Sequence, residues 1–166
     1  MSVVALVALG ACQAAAPSTG PTTAVAAARS TVGPGSQPAT AQDAINNFAV
    51  CINSAPTFAQ APQQLRALPF TQNSNTGTWY HQTLNLSINV SGNRCSMVFG
   101  SNEERELLGL ALAVGSTEGN GQGNANIGVD PNTGATQTNS RGGTQFLFTP
   151  AGTADGTAYF RAAMTR

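Results

Sequence analysis

The chain has 166 residues, a length typical of a single domain. Only 8% of them are charged, and seven arginines balance seven acids with no lysine at all. A neutral chain lacks the net positive charge that would draw it to nucleic acids or anionic lipids, so we expect no nucleic-acid partner. The missing lysine excludes Schiff-base and phosphate-loop chemistry. The single histidine, His81, cannot form a multi-histidine site, and we expect neither a metal nor a cofactor.

A short apolar run, Val3 to Leu9, lies near the start of the chain and leads into Leu9-Gly10-Ala11-Cys12. The run is too short for a membrane-spanning helix, which needs about 20 residues, but it suits a signal peptide. This arrangement resembles the lipobox of bacterial lipoproteins. The resemblance implies that residues 1–11 are a signal-peptide-like segment, that Cys12 is acylated, and that the chain is exported and anchored to a membrane.

The flanks of this motif refine the expectation. Met1-Ser2 lacks the basic residues typical of a signal peptide, which predicts a translation start upstream of Met1. The alternative is an unprocessed apolar tail with a free Cys12. Lipoproteins retained at the inner membrane commonly carry aspartate after the acylated cysteine, so Gln13 favours the periplasmic face of the outer membrane by analogy. Residues 12–39 are rich in Pro, Ala, Ser and Thr and predict a flexible tether.

The globular domain is expected over residues 40–166, beginning with a helix. Thr40 and Asp43 have the spacing of a capping box, and apolar residues then recur at helical spacing as far as Ile52. A second short helix is expected between Phe58 and Leu68, with a proline in its first turn. The first helix is therefore predicted to present one apolar face to the core.

A β-hairpin is predicted after a polar loop at Thr71–Gly77. A short strand is expected over Thr78–His81, and Leu84–Val90 alternates strictly between apolar and polar residues. A Ser-Gly-Asn turn then leads into Arg94–Phe99, which would return beside it. The pattern predicts one buried side and one solvated side.

If Cys12 carries lipid, as the resemblance implies, Cys51 and Cys95 remain as a pair. Cys51 falls at the edge of the apolar face of the first helix, and Cys95 falls on the core side of a strand. A disulfide between them would join helix to sheet. The alternatives are two buried free thiols or a redox-active pair, although redox pairs usually have the spacing Cys-X-X-Cys.

A helix is expected next from Ser101, which with Glu104 has capping-box spacing, to a C-cap at Gly115. Residues 115–143 form a Gly/Asn-rich stretch that we expect to be a long loop without a core. Within it, Asp130–Gly134 resembles the start of a calcium loop, but no downstream glutamate completes the ligand set. A turn between two weak strands is the preferred interpretation.

A second hairpin, formed by Thr144–Thr149 and Thr157–Met164, completes an α+β fold. We expect a small antiparallel sheet of about four to five strands, with two helices packed on one face and a disulfide staple. The predicted function is that of a non-enzymatic, lipid-anchored cell-envelope protein that binds or scaffolds an envelope partner.

Two alternatives use the stretch Trp79, Tyr80 and His81. These residues could bind a small ligand on the wet face of the sheet, or His81 could act as the base of a hydrolase. No Gly-x-Ser-x-Gly nucleophile elbow occurs in the sequence, and we predict no catalytic residues.

Overall fold

The computed structural model describes residues 37–117 and 126–166. Within them it has three α-helices and an eight-stranded antiparallel sheet, so the α+β class is confirmed and the expected strand count of four to five was too low. In chain order the elements are α1 Ala41–Ser54, α2 Ala61–Arg66, β1 Phe70–Gln72, β2 Trp79–His81, β3 Leu86–Ser91, β4 Arg94–Ser101, α3 Arg105–Thr117, β5 Gly128–Val129, β6 Thr136–Asn139, β7 Gln145–Ala154 and β8 Thr157–Thr165.

The sheet consists of two four-stranded meanders that meet in its centre. The strand order is β1-β2-β3-β4-β8-β7-β6-β5, and α3 connects the end of the first meander to the far edge of the second. At the seam, Cys95 lies opposite Met164 and Phe99 opposite Phe160. The two longest hairpins therefore form the middle of the sheet, and the short strands β1 and β5 form its edges.

Helix α1 begins as its sequence predicts. The Thr40 hydroxyl accepts a hydrogen bond from the Asp43 amide at 3.2 Å, and the Thr40 amide donates to the Asp43 carboxylate at 3.0 Å. This reciprocal pair satisfies two amides that a helix start leaves free. Helix α2 is shorter than the interval predicted for it, and Leu65 anchors it in the core.

The disulfide prediction is confirmed. The sulfur atoms of Cys51 and Cys95 lie 2.02 Å apart, and their Cα atoms are separated by 5.4 Å. Both side chains are fully buried between α1 and β4. The alternative of two free thiols was wrong, and the bond joins the helical layer to the centre of the sheet.

Helix α3 differs from its prediction at both ends. It begins at Arg105, because Ser101 is the last residue of β4 and its hydroxyl donates to the Ala39 carbonyl at 2.6 Å. The same hydroxyl accepts from the Glu103 amide, so no capping box forms with Glu104. The helix ends at Thr117, two residues beyond the predicted C-cap.

The residues just before the predicted start of the domain at residue 40 also form hydrogen bonds to it. Gln37 donates to the Thr83 carbonyl at 2.8 Å and accepts from the Asn85 amide at 2.6 Å. Ala39 then donates to the carbonyl of Gly100. Residues 37–39 therefore form part of the domain, and the predicted tether upstream of them lies outside the described residues.

Two predicted loops contain strands. Phe70–Gln72 extends into the expected polar loop and pairs with β2. In the 115–143 stretch the two expected weak strands are present as β5 and β6, but β6 pairs with β7 and its Thr136 and Thr138 are buried, so the expectation that this stretch has no core was wrong. These threonines alternate as strand residues beneath α3, which supplies the burial that the local sequence does not. The preferred turn near Asp130 is confirmed, since its carboxylate accepts from the Asn132 amide at 2.8 Å.

The three helices of residues 37–117 and 126–166 pack on one face of the sheet and enclose its main core. Phe48 of α1 meets Phe146 of β7 edge to face at 5.7 Å, and Phe148 stacks on Phe160 at 5.4 Å. Gly109 of α3 lies against Phe148. Because neighbouring residues of a strand point to opposite faces, the residues between these positions form the outer face of the sheet.

Candidate functional site

The residue expected to carry lipid, Cys12, lies outside the described residues, as does the signal-peptide-like segment before it. Its acylation therefore stays a prediction. Among the residues that the structure covers, no helix has both the length and the apolar character needed to cross a membrane.

The three residues proposed to bind a small ligand do not form an exposed surface. Trp79 and His81 are 4% and 9% exposed, and both belong to the core side of β2. The register places Trp79 opposite the buried Ile88, which fixes that side, and only Tyr80 points the other way. The assignment of this stretch to the wet face was therefore wrong for Trp79 and His81.

The environment of His81 suits a structural histidine. Its Nδ1 accepts hydrogen bonds from the backbone amides of Thr83 at 3.2 Å and Leu84 at 3.0 Å. Its ring meets Phe70 edge to face at 5.0 Å. Burial lowers the pKa of His81 below its ordinary value of 6.5, although the negative charge of Asp43 partly opposes this effect. A neutral imidazole with its proton on Nε2 fits these contacts.

The outer face of the sheet has a different character. No helix among residues 37–117 and 126–166 packs on it, and its central rows mix polar and apolar residues. One row reads Ser87, Val98, Arg161 and Thr149 across four paired strands. Val98 and Tyr159 belong to a small apolar cluster on this face, whereas the other face carries the aromatic core.

A groove of about 290 Å³ crosses this face at the seam between the two meanders. Its floor is well protected, since Ser87 and Val98 are 3% and 8% exposed. Its lining residues are polar apart from one valine: Thr78, Ser87, Asn89, Arg94, Ser96, Val98 and Arg161. The Asn89 amide donates to the Thr78 hydroxyl at 3.4 Å, which links β3 to the start of β2.

The two arginines of the groove have no carboxylate beside them among the described residues. Arg161 lies opposite Val98, and Arg94 lies on β4 four residues before Val98. The salt bridge found in the described part of the chain joins Arg105 and Glu106 on α3, away from the groove. The described acids lie on helices, near helix starts or in turns: Asp43, Glu103, Glu104, Glu106, Asp130 and Asp155. Although the chain is neutral, the groove is positively charged.

Two other cavities have less distinctive linings. One of about 370 Å³ lies at the β5 edge and is lined mainly by amide side chains such as Gln137 and Gln145. One of about 220 Å³ lies beside Leu110 and Asp130. Neither brings two uncompensated charges together. We therefore regard the groove between Arg94 and Arg161, hereafter the arginine groove, as the candidate site.

The sequence analysis did not identify these two arginines. They stand 67 positions apart and meet only because β4 and β8 pair. The available signal was that each alternates with buried residues in a predicted strand, which places it on the solvated face.

Comparison with known proteins finds no match, whether among family models, curated proteins or solved structures. Nor do the described residues contain a group of three or more His, Cys, Asp or Glu side chains that could hold a metal ion.

Proposed function

We propose that this protein is a non-enzymatic, lipid-anchored component of the bacterial cell envelope whose domain binds or scaffolds another envelope component. The observation that carries the binding role is the bare outer face of the sheet, where the arginine groove lies opposite the helical layer. A broad face with unpaired polar and charged groups suits contact with a partner better than it suits chemistry in a closed pocket.

The disulfide supports the assignment to the envelope. Structural disulfides form and persist in oxidising compartments such as the bacterial periplasm, and they are rare in the cytosol. The bond between Cys51 and Cys95 is fully buried and joins the two layers of the fold. Export through a lipobox-like sequence ending at Cys12 would place the chain in such a compartment.

The alternative functions gain no support from the geometry. Small-ligand binding through the β2 stretch requires exposed rings, yet Trp79 and His81 are buried. A hydrolase would need a ring nitrogen of His81 free to take a proton from a nucleophile. The Thr83 hydroxyl lies 3.4 Å from Nδ1, but the same nitrogen already accepts from two backbone amides at 3.2 and 3.0 Å.

The anchor is tested by intact-mass analysis of the membrane fraction. We expect the mature chain to begin at Cys12 and to carry acyl groups, and we expect Cys12→Ala to abolish both acylation and membrane retention. Far-UV circular dichroism of the variant serves as a control for folding. A wild-type protein that stays soluble and retains Met1 would rule out the anchor.

The binding face is tested by placing a photo-crosslinking amino acid on either side of the domain in living cells. Ser96 and Gln145 lie on the outer face, and Gln42 and Asn46 are exposed positions on α1. We expect a defined crosslinked product from the outer-face positions and none from the helical ones. Equal crosslinking from both faces, or crosslinking from α1 alone, would contradict the proposal.

A further inference from the structure

The arginine groove combines features that point to a particular ligand chemistry. It contains two guanidinium groups, three hydroxyl side chains and one amide side chain. All these groups can donate hydrogen bonds, and arginine is the side chain whose donor fork matches a phosphate or carboxylate in two-point contact. No carboxylate from the described residues lines the groove to compete for them.

The arrangement of the strands brings the two charges to one ligand-sized space. Four residues along a strand span about 13 Å, so the Cα atoms of Arg94 and Arg161 stand well apart. Between them lie the short side chains of Ser96 and Ala163, which leave room above the sheet. Both arginines line the same groove, so the space between them is open to an anion that both guanidinium groups could contact.

The protected floor increases the electrostatic attraction. Ser87 and Val98 at the base of the groove are 3% and 8% exposed, so water has little access to the base, while the side chains of Arg94 and Arg161 above it are exposed. Charges beside such a protected base interact more strongly than charges in bulk water.

We propose that the arginine groove binds a phosphate group, with Arg94 and Arg161 clamping its oxygens while Ser87, Ser96 and Asn89 donate further hydrogen bonds. Charge favours phosphate over carboxylate, because a phosphate monoester carries a charge of about −1.5 to −2 near pH 7 and matches two guanidinium ions. The phosphate belongs either to a soluble phosphate compound or to a lipid headgroup. The choice of a lipid of the envelope rests on the proposed function, whereas phosphate binding itself does not.

The first experiment titrates the full-length protein with inorganic phosphate at constant ionic strength and follows the arginine side-chain signals by NMR. We expect saturable shifts of Arg94 and Arg161. Arg94→Gln and Arg161→Gln should each weaken binding about ten-fold or more, since each removes a charge-assisted hydrogen bond. Arg141→Gln is the matched control, because Arg141 is an exposed arginine in the turn before β7 and does not line the groove.

The outcome is decided by comparing these variants. Loss in both groove variants with wild-type affinity in Arg141→Gln supports the site. Equal loss in all three variants would show non-specific attraction and overturn the proposal, as would wild-type affinity in the groove variants or no saturable binding by the wild type. Unfolding curves for each variant separate lost binding from lost folding.

The second experiment identifies the carrier of the phosphate. It uses the full chain with Cys12→Ser, because an acyl anchor would itself bring the protein to vesicles. Flotation is compared on phosphatidylcholine vesicles with and without phosphatidic acid, which carries a phosphate monoester. Flotation that needs phosphatidic acid and both groove arginines supports a lipid headgroup. Binding of inorganic phosphate without flotation would refute the lipid carrier and leave a soluble phosphate as the ligand.

Discussion

A close approach between helix α3 and the sheet makes Gly109 an informative position for testing the packing. This glycine lies in the middle of α3, where sequence reasoning treats it only as a weak helix former. In the structure it is buried, and a Cβ added there would stand 2.8 Å from Thr136 Oγ1 and 2.9 Å from Phe148 Cδ1. We therefore expect Gly109→Ala to destabilise the protein.

Two opposing effects set the magnitude. Alanine is favoured over glycine inside a helix by about 1 kcal/mol. Overpacking a well-filled core costs about 1–3 kcal/mol, because neighbouring side chains or the backbone must shift. Neither neighbour can move freely, since Thr136 and Phe148 are 3% and 0% exposed and Phe148 stacks on Phe160. The difference is a net loss of up to about 2 kcal/mol. Because two buried neighbours must both shift, we expect the upper half of that range, about 1–2 kcal/mol.

A second glycine of the same helix supplies the matched control. A Cβ at Gly115 would stand 3.9 Å from Ile52 Cδ1, which is an ordinary contact distance. Gly115→Ala should therefore be neutral or stabilising by up to about 1 kcal/mol. Urea unfolding of both variants under oxidising conditions measures the free energies. If Gly109→Ala is as stable as the wild type, the close approach of α3 to β6 and β7 described above is refuted.

Three further perturbations test other parts of the fold. Replacing Cys51 and Cys95 by alanine should cost about 4 kcal/mol of unfolding free energy, because the bond closes a loop across a separation of 44 residues; unchanged stability would eliminate the staple. The pKa of His81 is lower in the folded protein than in the unfolded chain, so the unfolded chain takes up the proton at a higher pH. The free energy of unfolding should therefore fall as the pH drops through 6.5 and below. This dependence should be reduced in His81→Gln, and identical pH profiles would show that His81 does not contribute. Deleting residues 128–139 should lower the urea midpoint, because it removes β5 and β6 and unpairs β7; an unaltered midpoint would restore the loop interpretation.

Local patterns predicted the elements whose stability is largely local. The capping box of Thr40 and Asp43 fixes the start of α1, and the alternation of Leu86 and Ile88 fixes the buried side of β3. These signals depend on near neighbours in sequence, so they can be recognised without a fold. The two hairpins that form the centre of the sheet could be anticipated for the same reason, but their pairing with each other could not.

The features that were missed, among them the burial of the predicted weak strand at β6, depend on distant contacts. Thr136 and Thr138 become core residues because α3 packs over them. The Thr/Asn/Gln-rich sequence around them does not predict that a helix will cover this strand. Gln37 joins the domain through backbone hydrogen bonds to Thr83 and Asn85. Any residue except proline could make both bonds, so the identity of residue 37 gives no signal. The alternation of residues in β2 indicates that the strand has two sides but not which side faces the core. For this reason Trp79 was wrongly predicted to lie on the solvated face.

The candidate site depends on the same long-range pairing. Arg94 belongs to the first meander and Arg161 to the second, so the arginine groove exists only where β4 and β8 pair. Helix α1 supports that seam from behind, because Cys51 bonds it to β4 while Phe48 packs on Phe146 of β7. The two halves are thus fixed to one helix on the core side, which holds the spacing of the arginines on the outer side. A binding surface on a flat sheet needs such support, since no loop or second layer of the described chain positions its side chains.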